Sequence, residues 1–265
     1  MPHKTSASAA RRAPGRVDLC AVDRSLAQVQ QYFTALSTLL VERRDPLIDT
    51  VRTNMLAGYA LIDDYVARGV DLFTLDNVGL LLEINATVLC GSDARQRAEY
   101  ARHLAASERR FYADDEGGGA KRLLEWYAAH RDESTWKRAA GVYVRILSEP
   151  QLFIEGNHRS GSLIVSYLQL RDGYPPFVLS LDNAEAYFNP SSVIRRLPKR
   201  GVDALFKLPR LKKRYARFLE EQASAPRAAR YLRGVEGGDG GSGGDADPAA
   251  ASPLFEPLLP VGSAR

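Results

Sequence analysis

From Asp23 onward, apolar residues recur every three or four positions: Leu26, Val29, Tyr32, Phe33, Leu36 and Leu40 form one stripe. That spacing matches a helix and not the two-residue alternation of a strand. A second stripe follows at Leu47, Val51, Met55, Tyr59, Ile62 and Val66, and Gly69 stands where a helix stops. Residues 75–90, LDNVGLLLEINATVLC, read as a third, more buried helix closed by Gly91, and residues 94–106 continue as helix. KRLLEWYAAH resumes the pattern with Leu123, Leu124 and Tyr127. Ser134 is placed to cap the next helix, where Trp136, Ala140, Tyr143 or Val144, and Leu147 share a face before Pro150 stops it. A further helix is expected from about Ser160 to Arg171, ended by Gly173-Tyr174-Pro175-Pro176. A short segment around Asn183 to Phe188 and a basic final helix from about Val202 to Gln222 complete the series. No internal repeat is visible, and the fold class is all-α.

The ends differ in kind. Residues 1–17 read as a disordered basic arm, 18–224 as the helical domain, and 225–265 as a disordered tail. The stretch GVEGGDGGSGGDADPAAAS at 234–252 holds too little apolar surface to offset its ordering entropy. A length of 265 residues, 45% hydrophobic and 26% charged, suits one ordinary domain. The net charge of +4 is too mild to point to nucleic acid. Cys20 and Cys90 make no CxxC, which argues against a disulfide framework or structural zinc. No apolar run reaches the roughly 18 residues that span a bilayer, so no membrane partner is expected. The N-terminus has a transit-peptide-like basic character but no hydrophobic centre for a secretory signal; Pro2, Pro14 and its small residues read more simply as an arm. A cytoplasmic location fits. FYADDEGGGA at 111–120 breaks the helical pattern and predicts an exposed turn or short hairpin.

The chemistry concentrates at 150–161, PQLFIEGNHRSG, between two helices. A glycine-containing loop feeding a helix N-terminus presents unpaired backbone N–H groups and the positive end of the helix dipole, which suits an anion. Gly156 permits close backbone approach, Asn157 tolerates unusual dihedrals and donates hydrogen bonds, and Arg159 offers a planar fork to phosphate oxygens. Glu155 would repel phosphate unless Mg²⁺ lies between them. Phe153 faces inward and anchors the loop. The same residues also describe a plain polar turn between helices with Arg159 paired to Glu155, and the residues alone leave both readings open.

PQLFIEGNHRSGS resembles the signature of the Fic (Fido) family, His-Pro-Phe-x-Asp/Glu-Gly-Asn-Gly-Arg followed by a small residue, Gly and a second Arg. The likeness holds at Phe153, Glu155, Gly156, Asn157, Arg159 and Gly161. AAGVYVRIL before the loop, LIVSYLQLRDGYPPF after it and the upstream LLLEINATVLCG are similar to the family's flanking and core helices, so the likeness spans roughly residues 75–195. It implies a Fic-like helical domain that moves AMP from ATP to a hydroxyl of a protein substrate. In that scheme Glu155 holds Mg²⁺, and Gly156, Asn157, His158, Arg159, Ser160 and Gly161 surround the phosphates. A small β-hairpin flap, expected at 111–120, aligns the target.

Three departures bear on the implied activity. The family's catalytic histidine aligns with Gln151, whose amide has no useful basicity near neutral pH. His158 replaces the second glycine of the cradle, as a bulky residue does in Fic relatives that transfer a phosphoryl group. It reads either as a side chain that narrows the cradle and takes over as base, or as a loop-filling, hydrogen-bonding histidine. Ser162 stands where the second arginine belongs. The family's autoinhibitory Ser/Thr-x-x-x-Glu-Gly/Asn pattern is absent. The leading expectation is a Fic-like nucleotide- or phosphate-binding protein, with Mg²⁺, whose AMP-transferase activity is weakened, lost or changed. The alternatives are a working AMP-, nucleotidyl- or phosphoryl-transferase with altered chemistry, and a noncatalytic interaction module. Elsewhere, the basic run from Lys199 to Arg217 reads as a solvated helix face, Tyr112, Trp126 and Tyr127 as core, and His3, His103 and His130 as bystanders.

Overall fold

The computed structural model describes residues 12–113 and 119–233, and these form eleven α-helices and a final 3₁₀ turn. In order they are α1 (Leu19–Gln31), α2 (Phe33–Ser37), α3 (Asp49–Ala67), α4 (Leu80–Cys90), α5 (Ala94–Glu99) and α6 (Ala101–Tyr112). Then come α7 (Gly119–Ala129), α8 (Thr135–Leu147), α9 (Asn157–Arg171), α10 (Ala184–Arg196), α11 (Val202–Ser224) and the turn Pro226–Tyr231. The all-α class therefore holds. Among the described residues the only β pairing is two isolated bridges, Val17 with Leu232 and Glu149 with Pro198. No helix among them is long and apolar enough to cross a membrane.

The expected hairpin flap falls partly on residues 114–118, outside the described residues. Its described flanks are helical: Phe111 and Tyr112 end α6, and Gly119 and Ala120 begin α7. The Gly/Asp-rich stretch 234–252 also lies outside the described residues.

α9 is the axis of the domain. It packs against α8, α3 and α4, while α8 also packs against α11. Twelve of its fifteen residues are buried, so it carries no single apolar stripe, as a helix enclosed on all sides need not. Most of its buried polar side-chain atoms are bonded in place: Ser166 Oγ lies 2.8 Å from Ser162 O and 2.9 Å from Phe177 O, and Gln169 Oε1 accepts from Phe177 N at 2.8 Å, while Gln169 Nε2 has no partner among the described residues.

Element boundaries shift where single residues outweigh the pattern. The first stripe breaks at Tyr32 into α1 and α2, and the helix expected over 94–106 breaks at Tyr100. Residues 75–79 are turns instead of the first turn of α4, with Leu75 exposed. α10 runs through Pro190 to Arg196, longer than the segment expected to end at Phe188. Ser134 does occupy the N-cap of α8, but its side chain makes no cap bond.

The arm is shorter than its composition suggests. Residues 12–17 lie against the domain: Gly15 N donates to Leu170 O at 2.9 Å, and Val17 N donates to Asp63 Oδ1 at 2.8 Å. Arg16 grips the same carboxylate through Nε and Nη2 at 3.0 and 2.7 Å. Asp63 is buried on α3, and a buried carboxylate needs such a partner. At the other end, Asp18 N donates to Tyr231 O and Arg233 N to Arg16 O, both at 2.9 Å. Residues 226–233, expected within the tail, thereby join the domain.

Candidate functional site

The loop is fixed at its root before its tip makes any turn. Glu149 N donates to Leu197 O at 2.9 Å and Lys199 N to Glu149 O at 2.6 Å, tying the end of α8 to the segment after α10. Phe153 is buried as expected, its ring stacked on Phe111 at 5.6 Å. Gly156 then turns the chain with φ +76°, a left-handed conformation, and becomes the N-cap of α9. α9 starts three residues earlier than the sequence suggested because this glycine, and no side-chain cap, ends the loop.

The Asn157 side chain is a staple. Its Oδ1 accepts from Phe153 N at 3.0 Å, while Nδ2 donates to Phe153 O at 2.8 Å and Gln151 Oε1 at 3.2 Å. The amide is thus used up closing the loop on itself. Beneath it stands Asn85 of α4, whose Nδ2 lies 2.9 Å from Glu155 O and 3.0 Å from Ser160 Oγ. Asn85 Oδ1 accepts in turn from Ser107 of α6 at 3.2 Å. Two helices distant in sequence therefore hold the loop from below.

Several residues assigned to the phosphate cradle face elsewhere. Ser160 is fully buried, with Oγ spent on Asn85 and N–H spent on Gly156 O. Gly161 is a packing position: a Cβ there would come 2.9 Å from the Tyr143 ring of α8. His158 points inward, with Nε2 3.1 Å from Arg44 Nη1 and Nδ1 3.3 Å from Tyr143 Oη. Burial, with Arg44 and Arg195 adding to it, lowers the imidazole pKa to about 3. Its side chain does not narrow the cradle; it fills the interior as a neutral hydrogen-bonding group. Ser162 Oγ turns back to Arg159 O at 2.8 Å. Gln151 is held at both ends of its amide, Nε2 donating to Leu147 O at 3.2 Å and Oε1 accepting from Asn157. It cannot serve as a base.

What faces outward is a smaller set. Glu155 is 57% exposed, with Oε1 3.7 Å from Arg159 Nη2 and Oε2 3.6 Å from His103 Nε2. Arg159 also donates through Nη1 to Val88 O at 3.0 Å, and desolvation lowers its pKa. The plain ion-paired turn is thus realised in part. Yet α9 has no side-chain cap and no acid in its first turn. Helical geometry leaves the N–H groups of Asn157, His158 and Arg159 without partners inside the helix. With Arg159 beside them, these donors fit a phosphate. Magnesium fits only by way of that phosphate, since no three His, Cys, Asp or Glu side chains among the described residues gather to hold a metal, and Glu155 alone offers a carboxylate at the loop.

No protein-family model, curated protein or solved structure matches the chain. The reading of the site rests on its residues.

Three participants escaped the sequence. Arg44 comes from a polar stretch, VERRDP, with nothing to mark it. Asn85 did carry a signal, a lone amide in the apolar run LLLEINATVLC, which a buried polar group must justify by a bond. His103, read as a bystander, sits beside the loop's only acid.

Proposed function

We propose that the loop 151–162 binds the phosphate of a nucleotide such as ATP, with Glu155 as the residue that would hold an accompanying Mg²⁺, in a Fic-like protein that lacks AMP-transfer by the usual base. The observation that carries this reading is the uncapped N-terminus of α9, held by left-handed Gly156 with Arg159 alongside. A bound phosphate would take the three first-turn N–H groups and draw Arg159 from its long contact with Glu155. The nucleotide's own chemistry would supply the transferable group. The chain's residues supply only binding and orientation, because the Gln151 amide is neither basic nor free to move.

Thermal unfolding with ATP, other nucleotides and Mg²⁺ tests this. A metal-dependent rise in melting temperature, lost in Arg159→Ala and weakened in Glu155→Ala, supports it. A flat response to every nucleotide refutes it and leaves a structural or partner-binding loop. A second reading, a working transferase acting on a protein hydroxyl, draws on the His103 imidazole, whose Nε2 lies 3.6 Å from Glu155 Oε2. Transfer of labelled AMP or phosphate that vanishes in His103→Ala would favour it; transfer undiminished by that change would remove His103 from the reaction.

A further inference from the structure

A separate cavity of about 390 Å³ lies between α7, α8 and α11, away from the loop's tip. Trp126, Val144 and Leu208 form apolar walls, and Arg145, Lys199 and Lys212 bring three cations. An adjoining cavity of about 370 Å³ shares Trp126, His130, Arg145 and Lys199 and continues to Arg200. Trp126 is the common surface. Arg145 Cζ lies 5.3 Å and Lys212 Nζ 4.9 Å from its ring centre, and His130 stacks on it at 4.2 Å.

The charges here are poorly matched. Lys212 has Glu133 at 2.6 Å, and at the rim Glu125 is held by Arg122 at 3.0 Å. Arg145 has no carboxylate partner among the described residues; the Trp126 face is its contact, and burial lowers its pKa. Lys199 donates to Pro150 O. Its pKa is lowered to about 7, by burial first and then by Arg145 and Arg110, against a weaker pull from Glu149. Two neighbouring cations removed from water, with only the weaker pull of Glu149 on Lys199 against them, are costly. A cavity of this size and apolar lining is typical of small-molecule sites with a few convergent polar groups.

We propose that this cavity binds a small organic anion, its flat apolar body on Trp126 and its carboxylate or phosphate head between Arg145 and Lys199. An inorganic ion would leave the apolar walls unused. A neutral molecule would leave the cations unmatched.

The chain has two tryptophans, Trp126 and Trp136, so the indole N–H signals of ¹⁵N-labelled protein, assigned with Trp136→Phe, report on the site directly. Benzoate and phenyl phosphate are the probes, with benzyl alcohol and inorganic phosphate as controls. The Trp126 signal is expected to move saturably with at least one probe. In Arg145→Gln and Lys199→Gln the apparent dissociation constant should rise at least tenfold, while Arg159→Ala leaves it unchanged. The full amide spectrum shows whether each variant is folded, and either folded variant suffices. A response to benzoate alone assigns a carboxylate head, and to phenyl phosphate alone a phosphate ester. The proposal is overturned if neither probe moves Trp126, or if both folded cation variants bind as the parent does. It is overturned equally if benzyl alcohol or inorganic phosphate binds as well as the organic anions.

Discussion

Replacing Gly156 by alanine separates two costs that the loop imposes on one residue. The first is conformational: at φ +76° an L-residue gives up about 1–2 kcal/mol, of which the stiffer unfolded chain returns about 0.5 kcal/mol. The second is steric. The new Cβ would stand 3.0 Å from Asn85 Nδ2 and 3.3 Å from Leu89 Cδ2, so the amide beneath the loop must retreat from Glu155 O or Ser160 Oγ. Loosening one such buried hydrogen bond costs about 1–2 kcal/mol. The sum is about 2–3 kcal/mol, or a fall in melting temperature of about 5–10 °C for a domain of this size. Gly69 supplies the control, since it shares a positive φ of 65° with nothing within 4 Å of an added Cβ. Gly69→Ala should cost only the conformational part, about 1 kcal/mol and about 2–4 °C. Calorimetric unfolding of both variants, and of Gly156→Ala combined with Asn85→Ala, reads the difference and the coupling. Equal losses at the two glycines, or strictly additive losses in the double variant, would refute the claim that Asn85 props the loop.

Further outcomes follow from neighbouring groups. Asn157→Ala removes three bonds of one buried amide and should destabilise by about 2–3 kcal/mol in urea unfolding, whether or not nucleotide binds. His158, with its folded pKa near 3, stays neutral where the unfolded imidazole takes a proton. Its contribution is therefore full above about pH 6.5 and is lost as pH falls toward 3, and His158→Gln should flatten the stability profile across that window. Lys199, lowered to about 7, behaves in the opposite pH range. The unfolded amine holds its proton up to about pH 10, so this group's penalty is greatest below pH 7 and eases between 7 and 10. Lys199→Met should then stabilise at pH 6 relative to the parent and lose that advantage by pH 9.5, measured by urea unfolding at both. Gln151→His should leave the fold intact, and labelled-AMP transfer rising above the parent would show that the phosphate site is otherwise competent.

The helices could be read because their signal is local. Leu26 to Leu36 and Met55 to Val66 repeat within the reach of one turn, and the structure buries both stripes except at Tyr32, which is exposed where the first stripe breaks between α1 and α2. The position of the loop was legible for the same reason, since Gly156 and Pro150 punctuate it. The direction of each loop side chain was not. His158 meets Arg44 across 114 residues of sequence, and Asn85 meets Ser160 across 75; no spacing rule encodes such pairs. Gly161 shows the same limit from another side, because a glycine chosen for a neighbouring helix looks identical in sequence to one chosen for a ligand. α10 resisted reading because Pro190 looks like a stop, yet the helix carries on past it to Arg196.

The clasp between residues 16–18 and 231–233 has a mechanical meaning. Its two bonds join Arg16 with Arg233 and Asp18 with Tyr231, so the strands run in opposite directions and both outer ends leave on the same side. A force drawing those ends apart first reaches the Gly15–Leu170 bond on the N-terminal side, then meets the two clasp bonds one after the other, Arg16–Arg233 before Asp18–Tyr231, and does not load them together. The segments would peel like a zip at low force, with the Arg16–Asp63 grip as the next point of resistance. The helices around α9 would yield only after both had let go.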